Sequence, residues 1–395
     1  MVGRLVRLIK KICSYIVLSV VYKYNILRLY LLTERRERRI LYKNFEYRES
    51  KDGKEAEKKW RKYWAPILKY PGKWSYRLFS VMDGHDVRIL SQVICSELEK
   101  SLNPRIYIPY YDNKNLFDKL LPSSFFPKTL IRLMDGVFID REYHIIEKIS
   151  DKTLDAALTG YNSVIIKPTV GSDSGKGIMK FIRSGNIFKS VSDENVALSV
   201  NMLQNIGGGG NMILQEALVQ HSFMSKFNPT SVNTIRIATY TSPYNGKVNL
   251  LSAIIRMGAK GSFVDNMHAD GKMVGIDVKT GKLTDFCMDS EGRKYNSYNG
   301  VDFECADLYV PEWDKIVAFT VDAASRLFPM KLIQFDVALQ EDGSPKLIEF
   351  NIGGFPMWVA QYFGFPAFGE WTDEIREYAM KSKRTLKIDI LRNIN

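Results

Sequence analysis

Cysteine and histidine are scarce in this chain, with four of each in 395 residues. Cys13, Cys95, Cys287 and Cys305 stand far apart and include no C-x-x-C pair, which argues against a zinc site and against a disulfide framework. A reducing cytoplasm is therefore the expected home. Long hydrophobic runs are missing too. The apolar stretch Ile12 to Tyr22 covers about eleven residues between Lys11 and Lys23, short of the ~20 a spanning helix needs. No small-residue cleavage site follows it, as a signal peptide would require. Internal repeats, low-complexity tracts and a Ser-His-Asp set are also absent.

What is present is charge, unevenly placed. Residues 1–62 hold 18 Lys and Arg against 7 Asp and Glu, a net charge of +11 in a chain whose total is +12. The remaining 333 residues are thus nearly neutral. A nucleic-acid enzyme spreads basic charge over its working face, so no nucleic-acid partner is expected. The basic start suits a helix lying on an anionic membrane surface or docking on a partner, or a helix packed on the body with a solvated basic face. Thr33 to Arg39 (TERRERR) reads as a solvated helix face.

At 45% hydrophobic and 25% charged residues the chain has an ordinary globular composition, and its length suggests two or three domains. Residues 1–70 read as a basic helical region ending near Pro66 and Pro71. Residues 71–160 read as a small α/β domain, with an amphipathic segment at Val87 to Leu98 and a strand at Arg105 to Pro109. From about 160 strands and turns dominate: Ser163 to Lys167, Ile178 to Ile182, Met212 to Ala217, Thr234 to Thr241, Val248 to Met257, Val274 to Val278 and Leu283 to Phe286. A helix from Trp313 to Leu327 precedes the last pair, Leu332 to Gln340 and Lys346 to Asn351. Antiparallel hairpins with few helices predict an α+β fold and exclude a parallel-sheet nucleotide fold.

Two segments carry chemistry. In LIQFDVALQEDGSPKLIEFN a loop at Glu341 to Ser344 sets Asp336 opposite Glu349. Alternation then gives an apolar face (Ile333, Phe335, Val337, Leu339, Ile348, Phe350) and a polar one (Gln334, Asp336, Glu349, Asn351). Opposed carboxylates repel unless a cation lies between them, and the hairpin itself offers no Lys or Arg opposite them. Mg²⁺ suits, being held by one or two carboxylates plus phosphates. In IIKPTVGSDSGKGI, Lys167 ends an apolar strand and a small-residue turn follows at Gly171, Ser172, Ser174, Gly175 and Gly177, whose backbone can approach phosphate oxygens. The spacing is not that of a Walker A loop.

The strand lysine, the small-residue loop, the LQEAL strand, the N-T-x-R strand and the D…E-x-N hairpin occur in the order seen in ATP-grasp enzymes. The segment QEALVQHSFMSKFNPTSVNTIRIATY resembles most the sugar-transfer-associated ATP-grasp family, found with bacterial surface-polysaccharide genes; the resemblance spans roughly residues 115–365. It implies two β-rich α+β subdomains holding ATP, here 161–217 with the phosphate loop and 218–395 with the metal hairpin. It further implies that Lys119 and Lys167 contact the nucleotide phosphates and that Gly171 to Gly177 form a flap over them. Gln215, Glu216 and Leu218 would line the adenine edge, with His221 on the nucleotide or capping a turn. Asp336, Glu349 and Asn351 would hold one or two Mg²⁺, and Arg236 with Asn233 would neutralise the transferred phosphoryl group; a cross-strand salt bridge is the alternative for Arg236. Asp265, Asn266 and His268 would face a second substrate or solvent, and Trp358 and Tyr362 an acceptor pocket or the core. The implied activity is an ATP- and Mg-dependent carboxylate–amine ligation through an acyl phosphate, joining an amine to a sugar acid at the inner face of the bacterial membrane. A sugar kinase and a non-catalytic nucleotide-binding partner of a glycosyltransferase are the alternatives.

Overall fold

The computed structural model describes residues 2–170, 177–205, 210–262, 270–305, 307–354 and 356–392, with the backbone alone at 2–19, 22, 83 and 383–392. The chain forms two compact units, one from residues 1–104 with 354–395 and the other from Arg105 to Gly353.

The first unit is helical. Helix α1 spans Val2–Asn44, α2 Lys51–Trp64, α3 Lys73–Asp83 and α4 Gln92–Leu102, and a last helix runs Thr372–Arg392. Ser50 and Ser91 cap α2 and α4, their hydroxyls accepting from Gly53 N at 2.9 Å and Ile94 N at 3.2 Å. Its core gathers Trp60, Trp64, Tyr76, Phe79, Leu98, Tyr362 and Phe368. Both indoles donate to backbone, Trp60 to Ile89 O at 2.8 Å and Trp64 to Val87 O at 2.9 Å. Trp358 and Tyr362 pack around Phe79 here, so they are core residues. The TERRERR stretch corrects its sequence reading: Thr33, Glu34 and Glu37 are buried, and the Arg36 guanidinium lies 4.3 Å above the Trp358 ring. A charged heptad looks solvated by composition, yet a helix facing α3 on one side must bury part of it.

The second unit begins at Arg105 to Tyr111. These residues form two helical turns, Arg105–Tyr107 and Ile108–Tyr111, instead of the expected strand. Pro109 stands in the first turn of the second, where its missing N–H costs nothing. Strands follow in chain order: β1 Thr129–Met134, β2 Val137–Ile139, β3 Ser163–Pro168, β4 Met179–Ser184, β5 Ile187–Ser190, β6 Met212–Glu216, β7 Thr234–Thr241, β8 Val248–Met257, β9 Lys272–Ile276, β10 Leu283–Met288, β11 Lys294–Tyr295, β12 Ser297–Tyr298, β13 Val301–Asp302, β14 Leu332–Leu339 and β15 Pro345–Asn351. One sheet is ordered β2-β1-β6-β3-β4-β5, a second β11-β10-β9-β8-β7-β14-β15, and β12 pairs with β13. Every pairing is antiparallel. The first sheet takes strands from both sides of residue 160, where the sequence suggested a boundary. Asp135 and Gly136, both at positive φ, make the tight turn that returns β1 as β2. The helix Trp313–Arg326 packs on β7, β8, β14 and β15 and closes the core of the second sheet.

Candidate ATP site

The site is built on the last hairpin. Pairing of β14 and β15 sets Gln334 opposite Asn351 and Asp336 opposite Glu349, the register expected from the loop. It then slips by one at a bulge, so that Val337 faces Leu347. Leu347 therefore fills the core in place of Ile348, which the simple alternation had assigned there. Ile348 is the extra residue, and bulges commonly re-aim groups beside active sites. Its carbonyl accepts from Lys167 Nζ at 3.3 Å, which joins the two sheets at this point.

The cation that the hairpin lacks comes from its other flank. Strand β7 sets Arg236 opposite Asp336. The guanidinium grips both carboxylate oxygens, Nε to Oδ1 and Nη2 to Oδ2, each at 2.7 Å. Arg256, on the same face of β8, adds a contact to Oδ2 at 3.3 Å. Burial opposes ionisation of Asp336, but Arg236 and then Arg256 outweigh it and hold the carboxyl below its ordinary value. The cross-strand salt bridge is thus real in this structure.

Lys167 ends β3, buried, with Lys114 as a like-charged neighbour. Burial and then that neighbour push its ammonium down to about 8, against the pull of Glu349. Lys114 Nζ lies 3.3 Å from Glu349 Oε2. Its position is fixed locally: Lys114 N donates to Thr169 O at 3.1 Å, and the buried Asn115 amide donates to Leu133 O and Thr169 Oγ1, both at 3.1 Å. Lys119, the lysine expected at the phosphates, lies 4.0 Å above the Tyr143 ring, and it is Lys114 that stands beside Glu349. Both lysines stand in one short segment, DNKNLFDKLL, and only the helical turns there decide which one faces β3.

Gly177 closes the small-residue loop at φ +75°, and a Cβ there would meet Pro168 Cγ at 2.9 Å. Gly171, Ser172, Ser174 and Gly175 lie outside the described residues, as do Asp265, Asn266 and His268. Gln215 turns its amide to Pro127 O and Thr129 Oγ1, each at 3.2 Å, and Glu216 accepts from Lys128 N at 2.8 Å. Both side chains thereby anchor the end of β6 to the segment entering β1, and Leu218 follows just beyond. His221 caps a helical turn, its Nδ1 accepting from Phe223 N at 3.1 Å. Asn233 is fully buried; its amide donates toward Gln220 Oε1, Met224 O and Asn228 O, and its oxygen accepts from Gly258 N. These bonds tie the loop after β6 to the ends of β7 and β8 through the Asn233 side chain.

The donor types are those a hard divalent cation takes, with Arg236 and Arg256 now holding the Asp336 oxygens. Asp336, Glu349 and Asn351 offer two carboxylates and an amide on one face, and the facing Gln334 has a buried Oε1 with no partner among the described residues. Among the described residues no group of three His, Cys, Asp or Glu gathers. Burial raises the thiols of Cys95 and Cys287, the latter to about 12.

The chain matches the profile of the sugar-transfer associated ATP-grasp family over residues 94–365. No curated protein matches it in sequence. Among solved structures it is similar to D-cycloserine synthetase DcsG (13% identity, TM-score 0.40, 72% of this chain and 73% of that one). It is also similar to the L-amino acid ligase from Bacillus licheniformis (13% identity, TM-score 0.32, 77% and 54%) and the D-alanine-D-alanine ligase from Coxiella burnetii (9% identity, TM-score 0.37, 72% and 62%). The chain spans less than two thirds of the length of these last two, and likenesses of this size carry nothing about substrate. The profile covers well over half of the chain: the chain belongs to the sugar-transfer-associated ATP-grasp family and has the mixed α+β fold of ATP-grasp ligases.

Proposed function

We propose that this protein is an ATP- and Mg²⁺-dependent carboxylate–amine ligase that works through an acyl phosphate. The observation that carries this reading is the meeting of Lys167 and Lys114, from the first sheet and its approach, with the Glu349 edge of the metal-type hairpin of the second. Phosphate-binding cations and oxygen donors for a divalent ion then share one place, as transfer of a γ-phosphoryl group requires.

Lys167 and Lys114 would hold the nucleotide phosphates, with Gly177 at the end of the segment that would cover them. Asp336, Glu349 and Asn351 would hold Mg²⁺, which when bound would neutralise phosphate charge. Arg236 and Arg256 sit on the same face and would meet the phosphoryl group as its charge spreads, a guanidinium giving two-pronged contact. A substrate carboxylate oxygen attacks the γ-phosphorus and ADP leaves; the amine then attacks the carbonyl carbon, phosphate leaves and the amine loses a proton. The nucleophiles come from the substrates, so the protein needs only to position them and exclude water. By family association the carboxylate is a sugar acid of a bacterial surface-glycan precursor and the acceptor an amino acid or amine, with the enzyme working at the cytoplasmic face of the membrane.

The test is ATP consumption with Mg²⁺ against sugar acids, each with and without amines, with product masses read beside ADP and phosphate. A ligase releases phosphate only when acid and amine are both present, and its product is lighter by one water than their sum. A product heavier by one phosphoryl group, without free phosphate, would make the enzyme a kinase. Glu349→Gln should reduce turnover by a factor of ~100 or more; normal turnover in this variant would remove the hairpin from the metal site.

A further inference from the structure

The first unit carries a cleft that the ATP chemistry does not use. It has a volume of about 690 Å³ and lies between α1 and the start of α3. Its basic lining is Arg35, Arg38, Arg39, Lys43 and Lys73, and its aromatic lining Tyr30, Tyr42 and Trp74. Arg38 and Lys73 both lie 5.1 Å from the centre of the Trp74 ring. Among the described residues, Arg35, Arg38, Lys43 and Lys73 form no ion pair. Glu34, the one acid lining the cleft, is buried and accepts from Trp74 N at 2.9 Å. Four cations in one cleft repel one another unless an anion enters it.

The same face of α1 continues as an apolar stripe. Val20, Tyr24, Leu27 and Leu31 are 61, 64, 55 and 57% exposed. With Arg35, Arg38 and Tyr42 they follow one another at steps of three or four residues, so all seven fall within one arc of the helix. Exposed leucines beside an aromatic-rimmed basic cleft match an interfacial helix, whose apolar face enters the acyl boundary while cations meet lipid phosphates. Among the described residues no helix is long and apolar enough to cross a membrane, so the contact is peripheral. A second copy of this chain is the poorer occupant, because pairing through the stripe would bring the same uncompensated cations together.

We propose that the α1 face from Val20 to Lys43, with Lys73, docks the protein on an anionic phospholipid surface, the cleft receiving a lipid headgroup phosphate and the stripe the adjacent acyl chains. This surface belongs to the first unit alone and does not depend on the ligase reading.

The experiment is flotation of the full chain with vesicles of phosphatidylcholine alone or with added phosphatidylglycerol, over a range of salt. The wild type should float only with the anionic vesicles, less so as salt rises. Arg35→Gln/Arg38→Gln should lower partitioning about 30-fold at low salt. Leu27→Ser/Leu31→Ser should lower it about tenfold or more, with little change in salt dependence. All four positions line the surface, and unchanged thermal melting would show that the variants still fold. The proposal fails if the wild type ignores anionic vesicles or floats equally with neutral ones, or if either double variant partitions like the wild type. It fails equally if sedimentation shows a dimer that Leu27→Ser/Leu31→Ser abolishes, or if duplex DNA binds more tightly than the vesicles and the serine variant binds DNA unchanged.

Discussion

Asp336 in the second unit and Glu37 in the first are both buried carboxylates beside arginine, and they ionise in opposite directions. Asp336 is gripped by Arg236 through two bonds and touched by Arg256, and stays below its ordinary value. Glu37 has Arg36 as its chain neighbour, but that guanidinium turns over Trp358 and stands 3.8 Å from Glu37 Oε1. Burial therefore wins and raises Glu37 to about 8, with only the Ser75 hydroxyl and Arg36 opposing it. Desolvation penalises both charges alike; the aim of the guanidinium decides the outcome. One acid is kept charged by its ion pair, and the other is kept neutral as part of a core.

The hardest blow to this contrast would be Arg236→Ala. Stripped of its two-pronged partner, Asp336 should cost the fold about 3–5 kcal/mol in urea unfolding, and a loss under 1 kcal/mol would show that Arg256 suffices. Glu37→Gln should act the other way. The native state holds a proton on Glu37 that the unfolded chain releases, so wild-type stability falls as pH rises from about 4.5 towards 8. The glutamine variant should lack that fall and be more stable at pH 8 by roughly 2–4 kcal/mol. Equal slopes in the two proteins would place the Glu37 charge in water.

Lys167 sharpens the same comparison from the cationic side. Its folded value of about 8 lies below its ordinary 10.5, so the unfolded chain binds more protons between these limits and stability rises with pH there. The rise should reach about 2 kcal/mol and vanish in Lys167→Met. Bound phosphate should recharge the amine, so calorimetry near pH 8–9 in buffers of different ionisation enthalpy should show proton uptake with nucleotide. No uptake would mean that Lys167 does not meet the phosphates.

The strands were legible because their patterns are strong. Thr234–Thr241 and Val248–Met257 fall where alternation and the turn at Pro243 to Gly246 put them, and the pairing of Asp336 with Glu349 follows from loop length. The bulge at Ile348 was not legible, since nothing in PKLIEFN marks an unpaired residue. Nor was the choice of Lys114 over Lys119, because a one-turn helical segment has too few residues to show a period. The bonds that Asn233 and His221 make to loops and turns were not legible either, apart from turn capping as one of the two expectations for His221. A polar side chain in a buried turn is recruited by the nearest unpaired backbone group, which sequence does not display.

The sequence by itself determined the antiparallel architecture, the opposed carboxylates, the strand lysine and the concentration of positive charge in the first 62 residues. Each of these depends on spacing along one segment, where covalent geometry and side-chain alternation leave little choice. Tertiary structure decided that Arg236 grips Asp336, that Lys114 joins Lys167 at Glu349, and that Arg36 leaves Glu37 for a tryptophan 322 residues away. Those outcomes depend on which charges are brought within a few ångströms while water is removed, and only packing between distant segments sets both conditions.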